Sequence, residues 1–116
     1  NTQYLRKMKL YLEYWNKNEN MYLANPFKKH PTLSDLLAYA TKNKKIITVS
    51  CCSKADELLT GYIEMYDSKI LKLNCVDMET ACIYEKITLL RNDIFYLEID
   101  SLDNELLKYA NEKIDV

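Results

Sequence analysis

Residues 58–77 read LLTGYIEMYDSKILKLNCVD, and this stretch decides the fold. Gly61 is the only glycine in the chain. It lies between two alternating apolar runs joined by a turn at Asp67 and Ser68. In the first run Leu59, Gly61, Ile63 and Met65 share one predicted face, and Thr60, Tyr62, Glu64 and Tyr66 the other. In the second, Lys69, Leu71, Leu73 and Cys75 alternate with Ile70, Lys72, Asn74 and Val76. Period-two patterning of this kind marks half-buried strands. A lone glycine inside one of them predicts a bend, a bulge or a close backbone approach. A bending strand is the reading adopted, and Gly61 and Asp67 are taken as structural residues.

Upstream the period is helical. Tyr4, Leu5, Met8, Tyr11, Leu12 and Trp15 recur at three- and four-residue steps, with Arg6, Lys7, Lys9 and Glu13 largely opposite. This predicts a helix over about residues 2–14 whose aromatic stripe, Tyr4, Met8, Tyr11 and Trp15, needs a partner surface. Residues 25–31, NPFKKHP, read as a linker, because each proline disfavours helix for the residue before it. A second helix follows, capped by Thr32 or Ser34, with Asp35 completing a capping box from Thr32 and with Leu33, Leu36, Leu37 and Ala40 as its apolar face.

After residue 45 the β-branched run Ile46 to Val49 opens a first strand. A polar turn is expected over Ser53 to Asp56, then the two strands quoted above, then a break at Asp77 to Thr80. A fourth strand is expected from Ala81 to Leu90 with Ile83, Ile87 and Leu89 on one face. A turn at Arg91, Asn92 and Asp93 leads to a fifth strand with Phe95, Leu97 and Ile99 toward the core. A short helix from Ser101 to Ile114 closes the chain, N-capped by Ser101, with Leu102, Leu106, Leu107 and Ala110 as its apolar face. Links this short force antiparallel pairing, and five such strands bury one face best by curling into a small barrel.

At 116 residues, 48% hydrophobic, the chain is expected to form one domain: residues 1–31 as an aromatic and basic helix with its linker, 32–100 as helix and barrel, 101–116 as the C-terminal helix. No apolar run is long enough for a membrane span. The N-terminus lacks a signal-peptide pattern, although the chain opens on Asn1 rather than Met, which leaves room for an upstream segment. Charge is uneven: nine Lys or Arg against three acids in the first fifty residues, seven against fourteen in the rest. Low net charge with this split is expected from two solvated or mutually facing halves.

Cys51, Cys52, Cys75 and Cys82 fall inside strand-like runs. They are read as reduced, mostly buried thiols of a cytoplasmic protein, with at most one of Cys51 and Cys52 exposed. There is no C-x-x-C pair, and His30 lies in the proline-flanked linker, so no metal site is expected. One glycine allows no phosphate loop, and no nucleophile–base constellation is present; catalysis and cofactors are not expected.

The order of elements, a short helix feeding five strands, Gly61 followed six residues later by Asp67, and the compact turn at Arg91 together resemble the Sm-like fold. That group includes the Sm proteins and the Hfq-type RNA chaperone. The first motif here is Gly61-Tyr-Ile-Glu-Met-Tyr-Asp67-Ser-Lys-Ile70-Leu71. The second is Leu90-Arg91-Asn92-Asp93-Ile94, with Phe95 to Ile99 as closing strand. The resemblance spans about residues 33–100. It implies a five-stranded antiparallel barrel, and assembly by pairing strand four of one subunit with strand five of the next. The RNA-recognition positions differ: Leu71 stands where Sm proteins have asparagine, Asn92 replaces a glycine, and Tyr84-Glu85-Lys86 stands where Hfq-type proteins carry Tyr-Lys-His.

The expected class is therefore α+β, mainly β: a five-stranded antiparallel Sm-like barrel preceded by two helices and followed by one short helix. The expected role is a non-catalytic protein-interaction or oligomerisation module, of accessory or immunity type in a bacterial cytoplasm. A protein partner or self-association ranks ahead of nucleic acid, with no membrane and no small-molecule substrate. The alternative is RNA or single-stranded nucleic-acid binding through Arg91 with Arg6, Lys7, Lys9, Lys28 and Lys29.

Overall fold

The computed structural model describes residues 6, 7, 9, 10 and 31–114. Arg6, Lys7, Lys9 and Leu10 are helical, in agreement with the predicted first helix. Helix α1 spans Leu33–Lys42 and is followed by β1 (Ile46–Cys51), β2 (Lys54–Tyr66), β3 (Ile70–Val76) and β4 (Ile83–Leu90). A 3₁₀ turn at Arg91–Asp93 leads to β5 (Ile94–Ile99) and helix α2 (Leu102–Ile114). No helix among the described residues is long and apolar enough to cross a membrane.

The five strands form one antiparallel sheet in the order β4-β3-β2-β1-β5. The expected closed barrel is not formed: β4 and β5 are the two edges of an open sheet. Closure would need them within a strand spacing of about 4.8 Å. A cavity of about 520 Å³ instead separates β4 residues such as Ile87 and Leu89 from the β1–β2 turn and Asp93.

Both faces of the sheet are covered. On one, Leu37 and Ala40 of α1 pack on Ile47, Val49, Leu71, Leu73 and Cys75. On the other, Leu107, Ala110 and Ile114 of α2 pack on Ile46, Val76 and Ala81, with Leu10 of the N-terminal segment against them. Every residue of β1 is buried, as a central strand between two helix layers requires. The α1 start follows the sequence closely. Asp35 N–H donates to Thr32 Oγ1 at 3.1 Å and Thr32 N–H to Asp35 Oδ2 at 3.0 Å, a complete capping box.

Strict alternation fails at four register shifts. The β1–β2 turn is only Cys52–Ser53, because β2 begins at Lys54; four β2 residues, 55–58, then stand against Ser50 alone. Between Ile63 and Met65 a bulge rotates Tyr66 onto the α1-side core and leaves Met65 exposed, so the expected face assignment breaks there. At β5, Cys51 pairs Ile94 and Ser50 pairs Tyr96, which turns Phe95 outward and gives its core place to Ile94. At β4, Val76 pairs Ile83 and Cys75 pairs Glu85, so Ile83 leaves the face of Ile87 and Leu89 and is exposed. That strand starts at Ile83, not Ala81, whose φ of 61° belongs to the preceding loop. In α2, Leu102 is exposed, and the buried face is Asn104, Leu107, Ala110, Asn111 and Ile114.

Candidate interaction interface

The β2–β3 turn and the 3₁₀ turn are clipped together by the residues the sequence singled out. Asp67 Oδ1 accepts from Lys69 N–H at 2.8 Å and Ile70 N–H at 2.9 Å, closing an Asx turn. The Ile70 and Lys69 amides hold its carboxyl below the usual carboxylate range, with Arg91 adding to the effect. Arg91 donates through Nη1 to the Asp67 carbonyl at 2.5 Å and through Nη2 to Ser34 Oγ at 2.6 Å. Its guanidinium carbon lies 6.0 Å from the Tyr66 ring centre. One arginine thus joins α1, β2 and the start of β5.

The other sequence-predicted cations divide. Lys7 is only 7% exposed and its Nζ donates to the Met78 carbonyl. Burial lowers its pKa, opposed by the nearby Asp77 and Glu79 carboxylates. Arg6 and Lys9 are exposed on the same helical segment. Lys28, Lys29 and His30, and the aromatic stripe Tyr4, Met8, Tyr11 and Trp15, lie outside the described residues. Cys51 and Cys75 are buried with burial raising both thiols, Cys75 to about 11; Cys82 is half-buried and Cys52 exposed. No group of potential metal ligands occurs among the described residues.

What local patterning missed are the edges. The β4 edge carries exposed Ile83, Tyr84 and Leu90, and the β5 edge exposed Phe95 and Tyr96. Ile83 and Phe95 have the alternation of core residues, and only the bulges turn them out. A second feature with no local signal is the ion network at the α2 start. Lys45 Nζ lies 3.0 Å from Asp100 Oδ1, without hydrogen-bond geometry at that oxygen, and donates to Glu105 Oε1 at 2.9 Å. Tyr39 donates to Asp100 Oδ2 at 2.6 Å. These groups come from four segments and fix α1, β1, β5 and α2 relative to one another.

No family model and no curated protein matches this chain. Among solved structures it is similar to the 1.55 Å crystal structure of the pleiotropic translational regulator Hfq, at 19% identity and a TM-score of 0.44. The match covers 55% of this chain and 92% of that one. Hfq is one of the proteins named by the sequence resemblance.

Proposed function

We propose that this chain is a non-catalytic interaction module that associates with itself, the β4 edge of one copy pairing with the β5 edge of the next. The observation that carries the reading is that, among the described residues, both edges of the sheet are unpaired and each bears exposed large apolar side chains. Free edges are ready templates for another strand, and proteins that leave them free usually guard them with charge, proline or a covering element. Here the charged pair Glu85 and Lys86 sits in the first half of β4, while Leu90 at its end and Phe95 near the start of β5 are 64% and 57% exposed. A heterologous contact of this kind repeats from copy to copy, giving a ring or a filament.

Size-exclusion chromatography with light scattering tests the reading. The wild-type chain is expected to elute as a multimer, and Leu90→Lys or Phe95→Lys as a monomer with unchanged circular dichroism. A wild-type monomer at all concentrations overturns it. A multimer whose 260/280 absorbance ratio reports bound nucleic acid moves the reading to the RNA alternative.

A further inference from the structure

Three separate backbone irregularities turn one apolar side chain each toward the same groove. The bulged start of β2 projects Leu58, because residues 55–58 stand opposite Ser50 alone; Ser50 Oγ ties the bulge down by donating to the Glu57 carbonyl at 3.0 Å. The β3–β4 loop projects Met78, held at its tip by Asp77 Oδ1 accepting from Glu79 N–H at 2.7 Å and Thr80 N–H at 3.2 Å. The shift at Cys75 and Val76 leaves Tyr84 without a cross-strand partner and turns it outward. Leu58, Met78 and Tyr84 are 66%, 57% and 59% exposed, and all three line one groove of about 390 Å³ with Asp77 and Glu79.

We propose that this groove docks a cationic peptide segment of a partner protein, anchored by one or two large apolar side chains. Charge complementarity names the occupant. Asp77 and Glu79 both line the groove, beside Met78. The nearby cation Lys7 is buried and engaged with the Met78 carbonyl. An acidic rim repels nucleic acid and anionic membrane and attracts Lys and Arg beside an apolar anchor. Leucine, methionine and tyrosine on its walls give an adaptable apolar surface, the flexible thioether above all. The groove shares Tyr84 with the β4 edge, but Leu58 and Met78 belong to β2 and the β3–β4 loop, so substitutions at those two report on docking here and Phe95→Lys on self-association.

The test is titration of a fluorescein-labelled synthetic peptide of Lys, Leu and one Trp, followed by anisotropy. Expected are saturable binding, about tenfold weakening by Met78→Asn and by Glu79→Gln, and no binding of the peptide with Glu in place of Lys. Binding is expected to persist in Phe95→Lys, whatever its oligomeric state. Absence of saturable binding overturns the proposal, as does binding unchanged in Leu58→Asn and Met78→Asn, which would mark a diffuse charge effect. A fall in molar mass on Met78→Asn with no peptide binding to the wild type would assign the groove to a second copy and overturn it equally.

Discussion

Gly61 is required by distance and not by torsion. Its φ is not positive, but a Cβ there would stand 2.2 Å from the Asn74 carbonyl oxygen and 2.9 Å from Cys75 Cα. Both are backbone atoms of β3, which no rotamer change can move. The close backbone approach open to a lone strand glycine is realised at Gly61, and the nearest bulge lies between Ile63 and Met65. Overpacking a core costs about 1–3 kcal/mol where side chains can yield, so Gly61→Ala is expected to lose at least that much in urea denaturation and Gly61→Val more. Tyr39 sets a second residue-scale expectation. Burial, then its bond to Asp100, pushes its phenol from 10.0 up to about 12. Burial works against the Lys45 cation, but its ion pairs with the Glu105 and Asp100 carboxylates outweigh it and raise that pKa too. Both groups keep a proton in the folded chain that the unfolded chain has released, so stability is full below pH 10 and is lost as pH rises from 10 toward 12. Melting temperature should fall across that window, and Tyr39→Phe should make the fall shallower.

At the scale of elements, α2 shows where helical periodicity misleads. Its cap is local and legible: Asn104 N–H donates to Ser101 Oγ at 3.1 Å. Its buried face is not, because it includes two asparagines. Asn104 Oδ1 accepts from Thr48 Oγ1 at 3.1 Å, itself 3.0 Å from Thr60 Oγ1, and Nδ2 reaches the Glu98 carbonyl at 3.4 Å. Asn111 Nδ2 donates to the Ala81 carbonyl at 2.8 Å, holding the loop residue with φ 61°. A pattern that scores only apolar residues rotates the helix toward Leu102 and Leu106. Asn104→Leu is expected to destabilise by about 1–3 kcal/mol, the cost of stranding buried polar partners, read as a lowered urea midpoint with unchanged slope. The strands teach the same lesson. Every one was legible as a strand, but the faces of Tyr66, Ile83 and Phe95 were set by bulges whose position depends on the neighbouring strand.

The whole molecule is an open sheet held between two helix layers, with β4 and β5 unpaired on their outer sides among the described residues. A head-to-tail contact through β4 and β5 has a consequence that a symmetric one lacks. Leu90→Lys spoils β4 and keeps β5, while Phe95→Lys does the reverse. Mixed in equal amounts, the two monomeric variants should form a capped heterodimer visible by light scattering. A β4-to-β4 contact would leave Phe95→Lys dimeric by itself and the mixture without a new species.

The amino-acid sequence by itself determined the elements, their order, the antiparallel pairing, the Ser101 cap and the Asp67 turn, and it narrowed the α1 cap to Thr32 or Ser34. Each of these rests on contacts within a few residues along the chain, or on links too short to allow another arrangement. Arg91 was legible as a candidate, though its partners were not: Ser34 and the Asp67 carbonyl come to it from α1 and from the turn after β2. Only the tertiary structure decided that the barrel stays open, that Phe95 and Ile83 face outward, and that Leu58, Met78 and Tyr84 share a groove. Those outcomes depend on register between strands distant in sequence, where one extra residue in a bulge reverses a face and no local pattern records the slip.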